Sequence, residues 1–178
     1  MGLVQAVVVH YLQAPGWTPK RARDYFESLK TGREARSASA HYVVGPDEVL
    51  YIVPKAERAY HCGSGYAFPQ GYTQWSIGFF RDYPNDHTIG IECCHADASG
   101  RFEAATVDNL VEVCALLCEQ YALRPMEHIV RHFDVTAKRC PLWWVEHEEE
   151  FNWFRCGVAD MVQTMRSRGR LWHSTASR

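Results

Sequence analysis

Between His132 and Cys140 the chain places an imidazole, an ammonium group and a thiol within nine residues, in the pattern H-x5-K-x-C. Zinc accepts imidazole nitrogen and thiolate sulfur, and a catalytic zinc takes three protein ligands and leaves one position open. The stretch 128–141 reads HIVRHFDVTAKRCP. Its apolar pair Ile129-Val130 reads as a strand end, and Pro141 halts regular structure just after the thiol. An irregular segment of this kind can fold back so that His132 and Cys140 face one point. Lys138 then supplies a cation where an oxyanion could form.

Two further residues stand out. His10 closes the β-branched run QAVVVH, a short strand pattern. A lone histidine after a strand commonly serves as a surface or core residue, but the carboxyl end of a central strand is where α/β folds build their sites. Glu92 interrupts the apolar run TIGIECC at 88–94. A carboxylate buried there unpaired is costly, so it either joins an ion pair or points into a wet site.

HFDVTAKRCP resembles the closing motif of the zinc-dependent N-acetylmuramoyl-L-alanine amidases, a fold group that includes phage endolysins and animal peptidoglycan recognition proteins. AVVVHY, SAHYVV (39–44), AYHCG (59–63) and TIGIEC (88–93) match further family motifs, in the family's order. The resemblance runs from about Val7 to Phe154. It implies zinc as cofactor, held by His10, His132 and Cys140. It also implies Lys138 beside the metal and Glu92 as the group that handles the proton of the bound water. Another branch of the family uses a tyrosine on the hairpin strand, a position taken here by Ala40. The implied reaction is hydrolysis of the amide between N-acetylmuramic acid and L-alanine of peptidoglycan, in a phage or prophage endolysin. A bacterial autolysin or recycling amidase is an alternative. A peptidoglycan-binding protein without catalysis is a rival, disfavoured by Cys140. A cysteine hydrolase using Cys140 or Cys62 with a histidine base is another, and the Lys138-x-Cys140-Pro141 context argues against it.

The elements that must position these groups follow from periodicity. Residues 5–10 and 88–94 read as buried strands. Residues 18–30 read as a helix with Thr18 as N-cap and Pro19 at its first position. Arg33 to Ser39 reads as a loop. Residues 41–45 and 48–53 read as a hairpin about Gly45-Pro46-Asp47. The apolar spacing of 103–121 gives the clearest helix, and 145–166 gives the last one. Beyond Arg166 the basic, polar composition reads as a flexible tail, 167–178. The expected architecture is α/β: a central mixed sheet flanked by helices, as in peptidoglycan recognition proteins, with one catalytic domain over 1–166.

Residues 54–87 are long, aromatic and glycine-rich, which suggests a functional loop. His61 and Tyr60 of AYHCG, with Tyr66, Tyr72 and Trp75, are candidates to line a groove for a sugar–peptide ligand. Each could equally pack the loop onto the body. His61, Tyr60, Trp75 and His41 are the substrate contacts expected, His41 more as a hydrogen-bonded wall of the site than as a ligand to metal.

Composition excludes several other classes. The chain has 178 residues, 47% hydrophobic and 22% charged, which suits one ordinary globular domain. A net charge of −2 gives no electrostatic case for nucleic acid. No apolar run approaches the ~20 residues that cross a bilayer. Gly2-Leu3-Val4 lacks the pattern of a secretion signal, so synthesis in the cytoplasm and action on the cell wall are expected, as a monomer. Seven cysteines without a CxxC pair argue against a disulfide framework or a closed structural zinc site.

Overall fold

The computed structural model describes residues 3–30 and 37–175, with side chains described through residue 168. In chain order the elements are β1 (Ala6–Tyr11), α1 (Pro19–Leu29), β2 (Tyr42–Val44), β3 (Val49–Tyr51), α2 (Gln74–Phe80), β4 (Thr88–Cys93), α3 (Ala104–Tyr121), α4 (Pro125–His128), β5 (Ile129–Arg131), α5 (His132–Thr136), α6 (Leu142–Glu146) and α7 (Glu148–Thr175).

The five strands form one mixed sheet in the order β3-β2-β4-β1-β5. β1 runs parallel to β4 and β5, β2 runs parallel to β4, and only β3 is antiparallel. β1 and β4 are buried on both faces, which explains why their sequences are nearly continuous apolar runs. Alternation still sorts their side chains. Val7, Val9, Ile89, Ile91 and Ile129 face α3 and α7, meeting Leu110, Cys114, Phe151, Phe154 and Val158 in the main core. On the opposite face Ala6, Val8 and Val130 meet Cys62, Tyr72, Phe80 and Val135. α1 covers the rest of that face through Ala22, Phe26 and Leu29. Thr18 caps α1 by accepting a bond from the Arg21 N–H, and Pro19 occupies its first turn.

Several expectations are corrected. The aromatic loop 54–87 contains α2, capped by Thr73, whose hydroxyl accepts from the Ser76 N–H and donates to the Asp134 carbonyl. Tertiary packing against α5 supports that short helix, which intrinsic propensity alone cannot do. Residues 132–136, read as irregular, form α5. The last helix begins at Glu148 and runs to Thr175, well past the start of the expected tail. No proline stops it before Thr175. Residues 33–36 of the expected 33–39 loop, and 176–178 of the tail, lie outside the described residues.

All seven cysteines are free thiols. Among the described residues no helix is long and apolar enough to cross a membrane.

Candidate metal centre and its cleft

β1 carries His10 at its fifth position, where it pairs in register with Glu92 of β4. Both side chains therefore leave the same face of the sheet near the carboxyl ends of parallel strands. His132 arrives from the neighbouring strand β5 as the first residue of α5. Arg131 fixes that junction: its backbone N–H and its guanidinium both donate to the Asp134 carboxylate, and it also donates to the Trp144 carbonyl.

Cys140 returns to His132 through a tight reversal. Ala137 adopts the left-handed conformation at φ 61° after α5. The Phe133 N–H then donates to the Cys140 carbonyl at 3.0 Å, closing the loop. The result is a cluster in which donor atoms of His10, His132 and Cys140 all lie within 4.8 Å of one another. The His10 and His132 ring centroids are 4.7 Å apart, and His10 Nδ1 lies 3.7 Å from Cys140 Sγ.

These residues fit a metal ion. A tetrahedral zinc with ordinary bond lengths sets sulfur and nitrogen donors about 3.6 Å apart, close to the separation seen. Both ring nitrogens of His132 are buried with no hydrogen-bond partner. Orphaned buried nitrogens are costly, and a cation between the donors would satisfy one of them. Burial pushes the His132 imidazole down to about 3, with the nearby Lys138 ammonium adding to the effect. Burial, helped by His132 and His61, also holds His10 well below its ordinary value. Neutral imidazoles are the form that ligates metal. Burial raises the Cys140 thiol, with Glu92 second, while Lys138 acts the other way; a bound dication would reverse that balance.

The cluster lies in a cleft of about 290 Å³. Glu92, Lys138 and Tyr60 line it beside the three donors, and Tyr60 and Lys138 are exposed. The far wall comes from α1 and the turn before it: Trp17, Tyr25 and Phe26. Trp17 and Tyr25 meet edge to face at 5.6 Å, and the Arg21 guanidinium lies over the Trp17 ring. None of these three wall residues is among the contacts expected from the sequence. An aromatic residue immediately before an N-cap was the available signal.

The other expected contacts are placed differently. His41 is fully buried, and the backbone claims both its ring nitrogens: Nδ1 accepts from the Gly90 N–H and Nε2 donates to the Glu57 carbonyl. It ties β2 to β4 and does not line the cleft. Trp75 lies on α2, stacked on Phe79 at 4.9 Å, and is absent from the cleft lining. Tyr72 packs in the core. His61 borders the cleft but is nearly buried, with Nδ1 3.0 Å from His10 Nε2. Cys62 Sγ lies 3.0 Å from the same nitrogen. Burial raises that thiol well above its ordinary value, which disfavours the thiolate form a nucleophile needs.

The mixed α/β sheet brings two imidazoles and a thiol together beside a carboxylate and an ammonium, a donor set that could hold a metal ion. The family profile described as N-acetylmuramoyl-L-alanine amidase matches residues 2–143, and the chain belongs to that family. It is 34% identical over 159 residues to the N-acetylmuramoyl-L-alanine amidase CwlL of Bacillus licheniformis, spanning 89% of this chain and 42% of that protein. The chain thus covers less than half the length of that relative. Among solved structures, PlyL superposes with a TM-score of 0.67 at 19% identity, covering 88% of this chain and 84% of the other. AMPDH3 of Pseudomonas aeruginosa, solved in complex with an anhydromuramic pentapeptide, superposes with a TM-score of 0.50 at 21% identity, covering 75% and 52%.

Proposed function

We propose that this chain is the catalytic domain of a zinc-dependent N-acetylmuramoyl-L-alanine amidase that cleaves the bond between the muramic lactyl group and L-alanine in bacterial peptidoglycan. The observation that carries the reading is the convergence of His10, His132 and Cys140 at the floor of a cleft. His10 and His132 would supply imidazole nitrogens and Cys140 a sulfur to the ion. Zinc, when bound, lowers the pKa of a water molecule toward ~7 and polarises a carbonyl.

The chain's own groups do the rest. Glu92, one strand from His10 and at the cleft wall, accepts the proton released by the attacking water and passes it to the leaving amine of L-alanine. Lys138 offers an ammonium to the negative charge that develops on the carbonyl oxygen. Trp17 and Tyr25 supply flat apolar faces, and Tyr60 a ring with a hydroxyl at the rim, for the sugar–peptide junction. An endolysin or an autolysin would use the same site, acting at the cell wall.

The test is metal analysis combined with release of stem peptides from purified cell wall. The expected result is one zinc per chain and new amino-terminal L-alanine. Wild-type protein that binds zinc but releases sugar fragments, or nothing, would overturn the assignment.

A further inference from the structure

His61 forms one link in a chain of hydrogen bonds that leads away from the cleft. The directions of these bonds follow from the partners. Thr88 Oγ1 lies 2.8 Å from the Pro84 carbonyl oxygen, so its proton must point there. The hydroxyl is then left to accept, and His61 Nε2, at 3.2 Å, must carry the proton between them. A neutral imidazole has one N–H, so His61 Nδ1 is an acceptor. The Cys62 thiol also lies 3.0 Å from that nitrogen, but a bare His10 Nε2, 3.0 Å away, would set two lone pairs face to face, so His10 Nε2 carries the proton and donates. That leaves His10 Nδ1 bare, and this is the nitrogen beside Cys140 Sγ.

The His61 ring lies on a floor that only glycine provides. A Cβ at Gly90 would come within 2.4 Å of the ring. Thr88, Gly90 and Glu92 alternate onto one face of β4. One strand therefore orients the His61 ring, makes room for it, and presents Glu92 to the cleft.

We propose that His61 is a positioning residue for His10: the relay His10 Nε2–H to His61 Nδ1, His61 Nε2–H to Thr88 Oγ1, and Thr88 O–H to the Pro84 carbonyl fixes the His10 tautomer and ring so that Nδ1 faces the metal. The proposal rests on the reading of His10 as a ligand and replaces the expected substrate contact at His61 with an outer role. Partners of this kind hold ligating histidines in place and raise their basicity. A competing use of the same atoms exists. His10, His61 and Cys62 also present donor atoms within 4.8 Å of one another. An ion there would take His10 Nε2 and His61 Nδ1 as ligands in place of the shared proton.

The experiment has two readouts, one of them independent of metal. Long-range proton–nitrogen correlation spectra of the metal-free, nitrogen-labelled protein report each imidazole tautomer. His10 and His61 are both expected as Nε2–H forms. In His61→Phe, which keeps a ring on Gly90, His10 is expected to lose its single tautomer. Zinc affinity by chelator competition is expected to fall about 10–100-fold. His61→Gln, which restores an acceptor, is expected to recover part of that loss. Thr88→Val keeps the side-chain shape and needs no new ring packing; it is expected to release the His61 tautomer and weaken zinc less. An Nδ1–H tautomer at His10 in the wild type, unchanged zinc affinity in a folded His61→Phe, or two zinc ions per wild-type chain would each overturn the relay. Absence of zinc binding by the wild type would instead overturn the proposed function, while the tautomer spectra still judge the relay.

Discussion

His10 and Glu92 stand opposite each other in the parallel ladder between β1 and β4. Neighbouring strands are about 4.8 Å apart, so the ring that joins the three-donor cluster and the carboxylate that lines the cleft are held by the same backbone hydrogen bonds. Their spacing is a property of the sheet and does not depend on a loop. Glu92 contributes no atom to the three-donor cluster. Glu92→Gln is therefore expected to keep one zinc per chain while lowering turnover about 10²–10⁴-fold, the usual range for a lost general base. Metal analysis and peptide release on the same preparation check it. A variant with wild-type turnover would remove Glu92 from the reaction.

Cys140 carries a separate expectation. Cys140 is 2% exposed, and the loop that holds it is closed by the Phe133 to Cys140 backbone bond. Cys140→Ser keeps the volume but substitutes a hydroxyl that ligates zinc poorly, so zinc affinity is expected to drop by orders of magnitude with the fold retained. Cys140→Asp restores an anionic ligand of a type that zinc accepts and is expected to recover binding in part. Chelator competition and circular dichroism together separate loss of ligation from loss of structure.

The buried imidazoles make the metal-free protein sensitive to acid. Burial lowers His10, His41, His61 and His132 below 6.5 in the folded state, His132 to about 3. The unfolded chain then binds more protons than the folded one at mildly acid pH, so stability is intact above about 6.5 and falls as pH drops through that value. Each such group contributes up to about 1.4 kcal/mol per pH unit within its window. Denaturant unfolding of metal-free protein between pH 7.5 and pH 4.5 is expected to show a steadily falling midpoint. A midpoint independent of pH across that range would mean that these rings are solvated.

The sequence displayed its site more openly than its walls. The convergence of His132 and Cys140 was legible because two residue types able to ligate a metal stand at short spacing. The strand carrying His10 was legible because burial on both faces leaves an unbroken apolar run. His41 illustrates the reverse: a histidine next to a strand looks like a site residue, and only the structure reveals that the Gly90 N–H and the Glu57 carbonyl use both its nitrogens. Helix α2 was hidden because seven residues carry too little periodicity, and its stability comes from Thr73 and α5. The cleft wall at Trp17 depends on how α1 docks against β2 and β3, a long-range relationship with no local signature.

That wall gives the remaining expectation. Trp17 and Tyr25 touch none of the three donor residues in ring contact; Trp17 packs on Tyr25, and Tyr25 on Phe26. Their part in the proposed reaction is to hold the glycan–peptide junction against the cleft equally in the ground state and the transition state. Loss of such uniform binding raises KM and leaves kcat nearly unchanged. Trp17→Ala is expected to raise KM for a soluble muropeptide roughly 10-fold, in line with about 1–2 kcal/mol of lost aromatic contact. Zinc content is expected to stay at wild type and the unfolding midpoint to fall modestly, because Trp17 lies outside the main core but packs on the smaller cluster under α1. Tyr25→Ala is expected to act in the same direction, with an added loss of stability because its ring supports Phe26. Steady-state kinetics on a defined muropeptide check both. A fall in kcat at constant KM would place these rings against the reacting bond and not against the arms of the substrate.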